Sequence, residues 1–171
     1  KVIADLEDFF NKTPKNFMWN SYYNHANEPV HHVPFLFNRL GAPWLTQQWT
    51  RIICDSAYHN AVEGLVGNED VGQMSAWYVL AAVGIHPVCP GSTKMEITSP
   101  LFKQVELHLQ QGKTFSIIAK NKSSTNIYIQ RALFNGKVYN KSYIDYFDIM
   151  NGGTLELIMG EQPNKSFGVS K

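Results

Sequence analysis

Residues 64–92 read GLVGNEDVGQMSAWYVLAAVGIHPVCPGS, and they decide the fold because one periodicity ends inside them. Apolar residues run from about Val71 to Val83 with helical continuity, and Gly84 supplies the stop. Two adjacent acids, Glu69 and Asp70, stand between Gly67 and Gly72 where that run begins. With Gln73 three residues on, Asp70 fits a capping box, its carboxylate accepting from the first turn. A cap leaves Glu69 unexplained, since a second neighbouring acid only adds repulsion. Glycines that permit close backbone approach favour a ligand site instead.

The residues upstream of this stretch are helical in spacing. Val2, Ile3, Leu6, Phe9 and Phe10 form one stripe, closed by Thr13-Pro14. A second helix is predicted from Pro29 through Val30, Val33, Phe37 and Leu40 to Gly41, and a third from near Pro43 with Leu45, Trp49, Ile52, Ile53 and Ala57 on one side. Downstream of Pro90-Gly91 the period is two, in Val105, Leu107 and Leu109, in Phe115, Ile117 and Ala119, and in Ile127, Ile129, Arg131 and Leu133. Turn signals separate these runs: Gln111-Gly112, the polar NKSSTN, Asn135-Gly136 as a hairpin, and Asn151-Gly152-Gly153. The expected organisation is α+β, with helices in residues 1–92 and an antiparallel sheet or sandwich in 93–171. Bulky residues such as Phe35, Phe37, Trp44, Trp49 and Trp77 exceed what four helices can hide among themselves. The first helical pattern also opens at Lys1 without a start signal, which predicts a piece of a longer protein.

Composition narrows the partners. Fifteen basic against fourteen acidic residues give a formal charge of +1, too weak a field for phosphate-driven binding to nucleic acid or anionic membrane. No run of about 18 apolar residues spans a bilayer. Cys54 and Cys89 could pair or stay free, and two cysteines cannot build a zinc cage. The sequons at Asn11, Asn121, Asn140 and Asn164 matter only in a eukaryotic secretory route.

HANEPVHH, residues 25–32, is the second candidate stretch. It lacks the His-Glu-x-x-His spacing of zinc hydrolases, and Pro29 would split its ligands between loop and helix. Asn27 and Glu28 are oxygen donors of the kind calcium takes. A solvated loop with His31 or His32 hydrogen-bonded in the core explains the same residues. The aromatics Trp19, Tyr22, Tyr23, Trp44, Trp77 and Tyr78 include possible sugar platforms, although helical spacing makes most of them core.

NEPVHHVPFLFNRLGAPWLTQQWTR, GLVGNEDVGQMSAWYVLAAVGIHPVCPGS, ITSPLFKQVELHL and NGGTLELIM occur in this order, and together they resemble the C-terminal portion of the glycoside hydrolase family 92 alpha-mannosidases. The resemblance covers essentially the whole chain. It implies calcium-dependent, exo-acting enzymes that release alpha-linked mannose from glycans with inversion, built from an N-terminal β-sandwich and an (α/α)6 barrel. Residues 1–92 would then be terminal barrel helices. Asp70 falls on the position expected to activate water, with Glu69 beside it; Asn68 stands where relatives frequently carry a second acid. The family's Ca2+ region matches Asn27 and Glu28, leaving His31 and His32 as expected sugar contacts or supports; among the aromatics, Trp77 is the expected sugar contact. The general acid is expected upstream of Lys1, since Glu63 and Asp55 read as surface charges. On this resemblance the chain alone is inactive and the parent is exported, to a bacterial periplasm, cell surface or medium. The alternative is a non-catalytic glycan-binding module presenting Tyr128, Tyr139, Tyr143 and Tyr146.

Overall fold

The computed structural model describes residues 1–169. Helix α1 (Val2–Asn11) turns its apolar stripe inward and buries Phe10, whose ring stacks on Trp49 at 4.9 Å. Past its end the Thr13 hydroxyl donates to Phe9 O (3.0 Å) and accepts from Tyr23 N (3.2 Å), which folds the next loop back onto α1.

The continuous helix predicted from Pro29 to Leu40 does not form. Two 3-10 turns, Glu28–Val30 and Val33–Phe35, precede a single α-helical turn, α2 (Leu36–Arg39). Pro34 is the cause: it has no N–H to donate and disfavours helical backbone at the residue before it. Gly41, with φ +78°, then ends the segment as expected. Helix α3 (Pro43–Ser56) starts on its proline and buries Leu45, Trp49 and Ile53. It also carries the contact with the sheet region, because Gln47 Oε1 accepts from Ile129 N (2.8 Å) and Gln48 Oε1 from the Tyr128 hydroxyl (3.0 Å). Helix α4 (Gln73–Val83) runs between two left-handed glycines, Gly72 and Gly84.

Two sheets follow. The smaller joins β1 (Ile85–Pro87), β2 (Lys94–Ile97) and β7 (Tyr143–Asp145), all antiparallel. Because β1 pairs with β2, the expected division between residues 92 and 93 falls inside this sheet. The larger contains β3 (Gln104–His108), β4 (Thr114–Lys120), β5 (Tyr128–Phe134), β6 (Lys137–Val138) and β8 (Gly153–Gly160), in the order β3-β4-β8-β5-β6. Its pairs are antiparallel except β4–β8, which is parallel. A short helix, α5 (Tyr146–Met150), leads from β7 toward β8 and is capped by Asp145, which accepts from Phe147 N. Asn135 and Gly136, at φ +49° and +78°, make the two-residue β5–β6 hairpin that their residue types predict. The alternation expected along β5 breaks at a bulge between Ile129 and Arg131. One extra residue switches faces, so Ile129 and Ala132 are buried while Arg131 is exposed.

Helices and sheets keep separate apolar cores, one around Phe10, Phe37, Trp49 and Trp77 and the other around Phe115, Ile129 and Leu157. Asn38 ties them together: buried, its Nδ2 lies 3.0–3.1 Å from Glu96 Oε2, Ile97 O and Ser142 O. The enclosed Glu96 pairs with Arg39 Nε at 2.6 Å, and burial still raises its carboxyl pKa above the usual range.

Candidate functional site

Two loops meet at the N-terminal end of α4. The first, residues 24–32, follows the α1 turn. The second leaves α3 through a narrow loop in which Tyr58 bridges Leu65 and His59 N donates to Gly64 O (2.9 Å), and it reaches α4 through residues 65–72. They approach to backbone distance, for a Cβ placed on Gly67 would lie 2.8 Å from Ala26 Cα and 2.9 Å from Ala26 C. Only glycine permits that approach. Three residues further on, Glu28 Oε1 accepts from Asp70 N at 3.3 Å, so one candidate acid holds the main chain of the other.

The capping box predicted for Asp70 and Gln73 is replaced by a different arrangement. Residues 70–72 form a 3-10 turn with Val71 at φ +56°, and Gly72 takes the cap position of α4. That displaces Asp70 from the reach of the first helical N–H groups. Its side chain is exposed and accepts no hydrogen bond from the described residues. Glu69 reaches over instead, accepting from Ser75 Oγ and from Ser75 N (3.1 Å), which hold its carboxyl below the usual carboxylate range. The acid that spacing left unexplained anchors the helix, and the acid read as the cap stands free. Asn68 is exposed beside them.

Gln73 turns to the other loop, where its Nε2 lies 3.3 Å from His31 Nδ1. The His31 ring is buried, with Nε2 on His25 O (2.9 Å) and its own carbonyl accepting from Trp77 Nε1 (2.9 Å). Both ring nitrogens of His31 are therefore taken up within the protein, an arrangement that fits the support among its two expected roles rather than the sugar contact. Trp77 requires a correction. It is 0% exposed and anchors a main-chain carbonyl, so a sugar cannot reach its face. Helical spacing had pointed to core for this residue. His32 is exposed, with Nδ1 on Pro29 O at 3.1 Å.

Beneath these groups lies a residue that sequence reasoning left unassigned. His25 is 0% exposed, held between the hydroxyls of Tyr23 (2.8 Å) and Tyr58 (2.7 Å), stacked on His31 at 4.4 Å and met edge-on by Trp77 at 4.4 Å. Burial pushes its pKa well below that of an ordinary histidine, and His31 and His86 push it further. His31 is lowered by the same burial, and His86, stacked on Phe35 at 4.5 Å, is brought down to about 4. Nothing local in the sequence pairs His25 with a tyrosine 33 positions away.

Glu28, His31, His32, Gln73 and His86 line a cleft of about 370 Å³ whose far wall is the turn Pro87–Ser92. Asp70 is not among the lining residues; its main-chain N–H donates to Glu28, which is. Among the described residues no group of three or more His, Cys, Asp or Glu is placed to hold a metal ion. Asn27 and Glu28 are half-exposed oxygen donors, suited to a hard cation that completes its shell with water or ligand oxygens. Cys54 is buried, Cys89 is exposed on the cleft wall, and both are free. Asp55 is exposed and paired to Arg51, and Glu63 is exposed, as the surface reading of both anticipates.

The four tyrosines offered as a glycan platform do not present one. The Tyr128 hydroxyl donates to Gln48 and that of Tyr139 to Tyr143 O (2.8 Å), while Lys94 covers the Tyr143 ring at 4.4 Å. Only Tyr146 of the four is largely exposed. No helix among the described residues is long and apolar enough to cross a membrane.

The chain matches the glycosyl hydrolase family 92 catalytic domain over residues 1–161. An Arthroderma benhamiae protein described as an uncharacterized secreted glycosidase is 36% identical over 140 residues, 80% of this chain and 18% of that protein. A family GH92 alpha-mannosidase of Bacteroides thetaiotaomicron superposes with a TM-score of 0.90 at 38% identity, covering 99% of this chain and 23% of its own; it has also been solved with mannoimidazole. A family GH92 inverting mannosidase of the same organism gives 0.83 at 38% identity, over 98% of this chain and 22% of its own. This chain spans less than a quarter of the length of these relatives.

Proposed function

This chain belongs to glycosyl hydrolase family 92, and on that premise we propose that it is the Asp70-bearing part of an exported, exo-acting alpha-mannosidase that hydrolyses glycans with inversion. The helices up to Val83 supply closing helices of an (α/α)6 barrel, and the strands from Ile85 onward pack as a β layer against it. The observation that carries the reading is the Asp70 carboxylate itself, exposed and without a hydrogen-bond partner among the described residues, on a main chain whose N–H donates to the cleft-lining Glu28.

In this reading Asp70 takes a proton from water as the oxygen attacks the anomeric carbon, and a second carboxyl group, carried by the rest of the enzyme, protonates the leaving oxygen. Inversion requires the two groups to stand about 6.5–9.5 Å apart, leaving room for the water. Glu69 holds the Asp70 turn by its grip on Ser75. Asn68 can accept from the attacking water but cannot remove its proton. Asn27 and Glu28 would hold calcium, which when bound supplies positive charge to orient sugar hydroxyls. Their oxygen chemistry fits that ion; as two donors they need water, sugar or the rest of the enzyme to complete its shell. The secreted description of the Arthroderma benhamiae relative supports export.

The test is Asp70→Asn in the longer enzyme, assayed on an aryl alpha-mannoside with and without a calcium chelator. Loss of the base should lower kcat about 10²- to 10⁴-fold with the fold intact, and chelation should abolish activity reversibly. The 171-residue chain alone should release no mannose. Full activity in Asp70→Asn would overturn the assignment.

A further inference from the structure

One arrangement of hydrogens gives every one of the buried polar groups behind the cleft a partner, and it reaches the cleft surface at Gln73. The Tyr58 hydroxyl has one hydrogen, and its partner Met74 O (3.1 Å) can only accept. Toward His25 Nε2, 2.7 Å away, Tyr58 therefore accepts, and the proton belongs to His25 Nε2. His25 Nδ1 is left bare and takes the hydrogen of the Tyr23 hydroxyl at 2.8 Å. His31 Nε2 faces the carbonyl of His25 at 2.9 Å, so it too must carry the hydrogen. No carboxylate hydrogen-bonds the enclosed His31 ring among the described residues, and a neutral imidazole then has a bare Nδ1.

That bare nitrogen lies 3.3 Å from the terminal amide of Gln73. An amide oxygen there would set two lone pairs against each other, so the NH₂ group must face His31. The orientation of a glutamine amide is ordinarily a free choice between two near-isosteric flips; here the histidine removes it. The carbonyl oxygen Oε1 is turned away from His31 with no donor among the described residues, on a side chain that lines the cleft beside Glu28 and His32. Both Glu28 and this oxygen accept hydrogen bonds, so the wall they share suits a ligand rich in hydroxyl donors.

We propose that Gln73 is a sugar-binding residue whose Oε1, oriented through His31, accepts a hydrogen bond from one hydroxyl of the bound glycone. The identity of the sugar rests on the mannosidase reading; the orientation of the amide does not.

The experiment has two arms. In the longer enzyme, Gln73→Met removes both donor and acceptor at similar volume, and kcat/KM on an aryl alpha-mannoside should fall about five- to tenfold, the worth of a neutral hydrogen bond. Across the monodeoxy mannosides the penalty should vanish for one analogue, the one lacking the bound hydroxyl, and persist for the others. An equal penalty on all of them, or none on the parent sugar, overturns the inference while leaving the mannosidase reading intact. The second arm uses no substrate: in protein labelled with ¹⁵N at histidine and glutamine, His31 should show a bare Nδ1 with through-bond coupling to the Gln73 NH₂. A proton on His31 Nδ1 overturns the proposal whatever the sugar. A wild-type enzyme inert toward every alpha-mannoside with the coupling present would defeat the mannosidase reading and leave the oriented acceptor standing.

Discussion

Replacing Gly67 by alanine tests the meeting of the two loops more directly than any change to an acid. Gly67 has no left-handed backbone, so a methyl group costs nothing in conformation; the whole penalty is contact. The new Cβ would stand 2.8 Å from Ala26 Cα, closer still to Ala26 O, where ordinary contact begins at 3.4 Å. Both neighbours are main chain and cannot swing aside. The loops must part by about 0.6 Å at the Cα and more at the oxygen. Overpacking of this kind costs about 1–3 kcal/mol, and at about 2–4 °C per kcal/mol for a chain of this length the unfolding midpoint should drop by roughly 2–12 °C. Glu28 and Asp70 would separate by a similar distance, and misplacement near 1 Å in a reacting site can cost about 100-fold in rate. Gly72→Ala is the comparison. Its φ is +75° with nothing within 4 Å, so the strain is conformational, about 1 kcal/mol, and nothing is pushed apart. Circular dichroism melts of this chain and kcat of the longer enzyme on an aryl alpha-mannoside should show Gly67→Ala losing stability and rate together, and Gly72→Ala losing stability without a matching loss of rate. An unchanged melt and rate in Gly67→Ala would refute the close approach.

Acid should destabilise the fold well before carboxylates protonate. His25, His31 and His86 all have folded pKa values below the ordinary 6.5, so the unfolded chain binds protons first as pH falls. The stability they contribute is present above pH 6.5 and is lost on the way down; His86 alone, at about 4, accounts for about 3 kcal/mol by that point. Glu96, raised, has the opposite sign and offsets part of the loss below its own folded value. Denaturant midpoints should fall between pH 7.5 and 5, and His86→Phe, which keeps the stack on Phe35, should flatten the slope; a midpoint rising toward pH 5 would contradict the burial. Native thiol titration should find one fast cysteine: Cys89 is exposed, whereas burial pushes the Cys54 thiol up to about 12. Two fast thiols, or none, would refute that difference.

Much of the architecture is local and was legible as such. The stripe of α1, the proline that opens α3, the stop at Gly84 and the Asn135-Gly136 hairpin each follow from residue type at a known offset. What the sequence concealed are contacts made through space. Pro34 reads as one residue in a helical pattern until its missing N–H is counted, and the bulge after Ile129 is invisible to a count of alternation. At the site, spacing favoured Asp70 as the cap because the i to i+3 rule looks no further than Gln73. The left-handed turn at Val71 lengthened the path and passed the anchoring role to Glu69, six residues from its partner Ser75. Trp77 shows the same limit from the other side: nearness in sequence to the polar loops suggests a tryptophan that meets sugar, but only packing shows which side of the wall it occupies.

The position of β8 governs how this region is made in the cell. It comes last of the strands among the described residues and lies at the middle of the larger sheet, between β4 and β5. On the ribosome the β3–β4 and β5–β6 pairs emerge earlier, each with a raw inner edge that only Gly153–Gly160 can cover. Unpaired edges of that kind recruit strands from other molecules. Translation halted shortly before Gly153 therefore leaves a sticky nascent product with its helical portion already exposed to folding. A few more codons close both gaps at once.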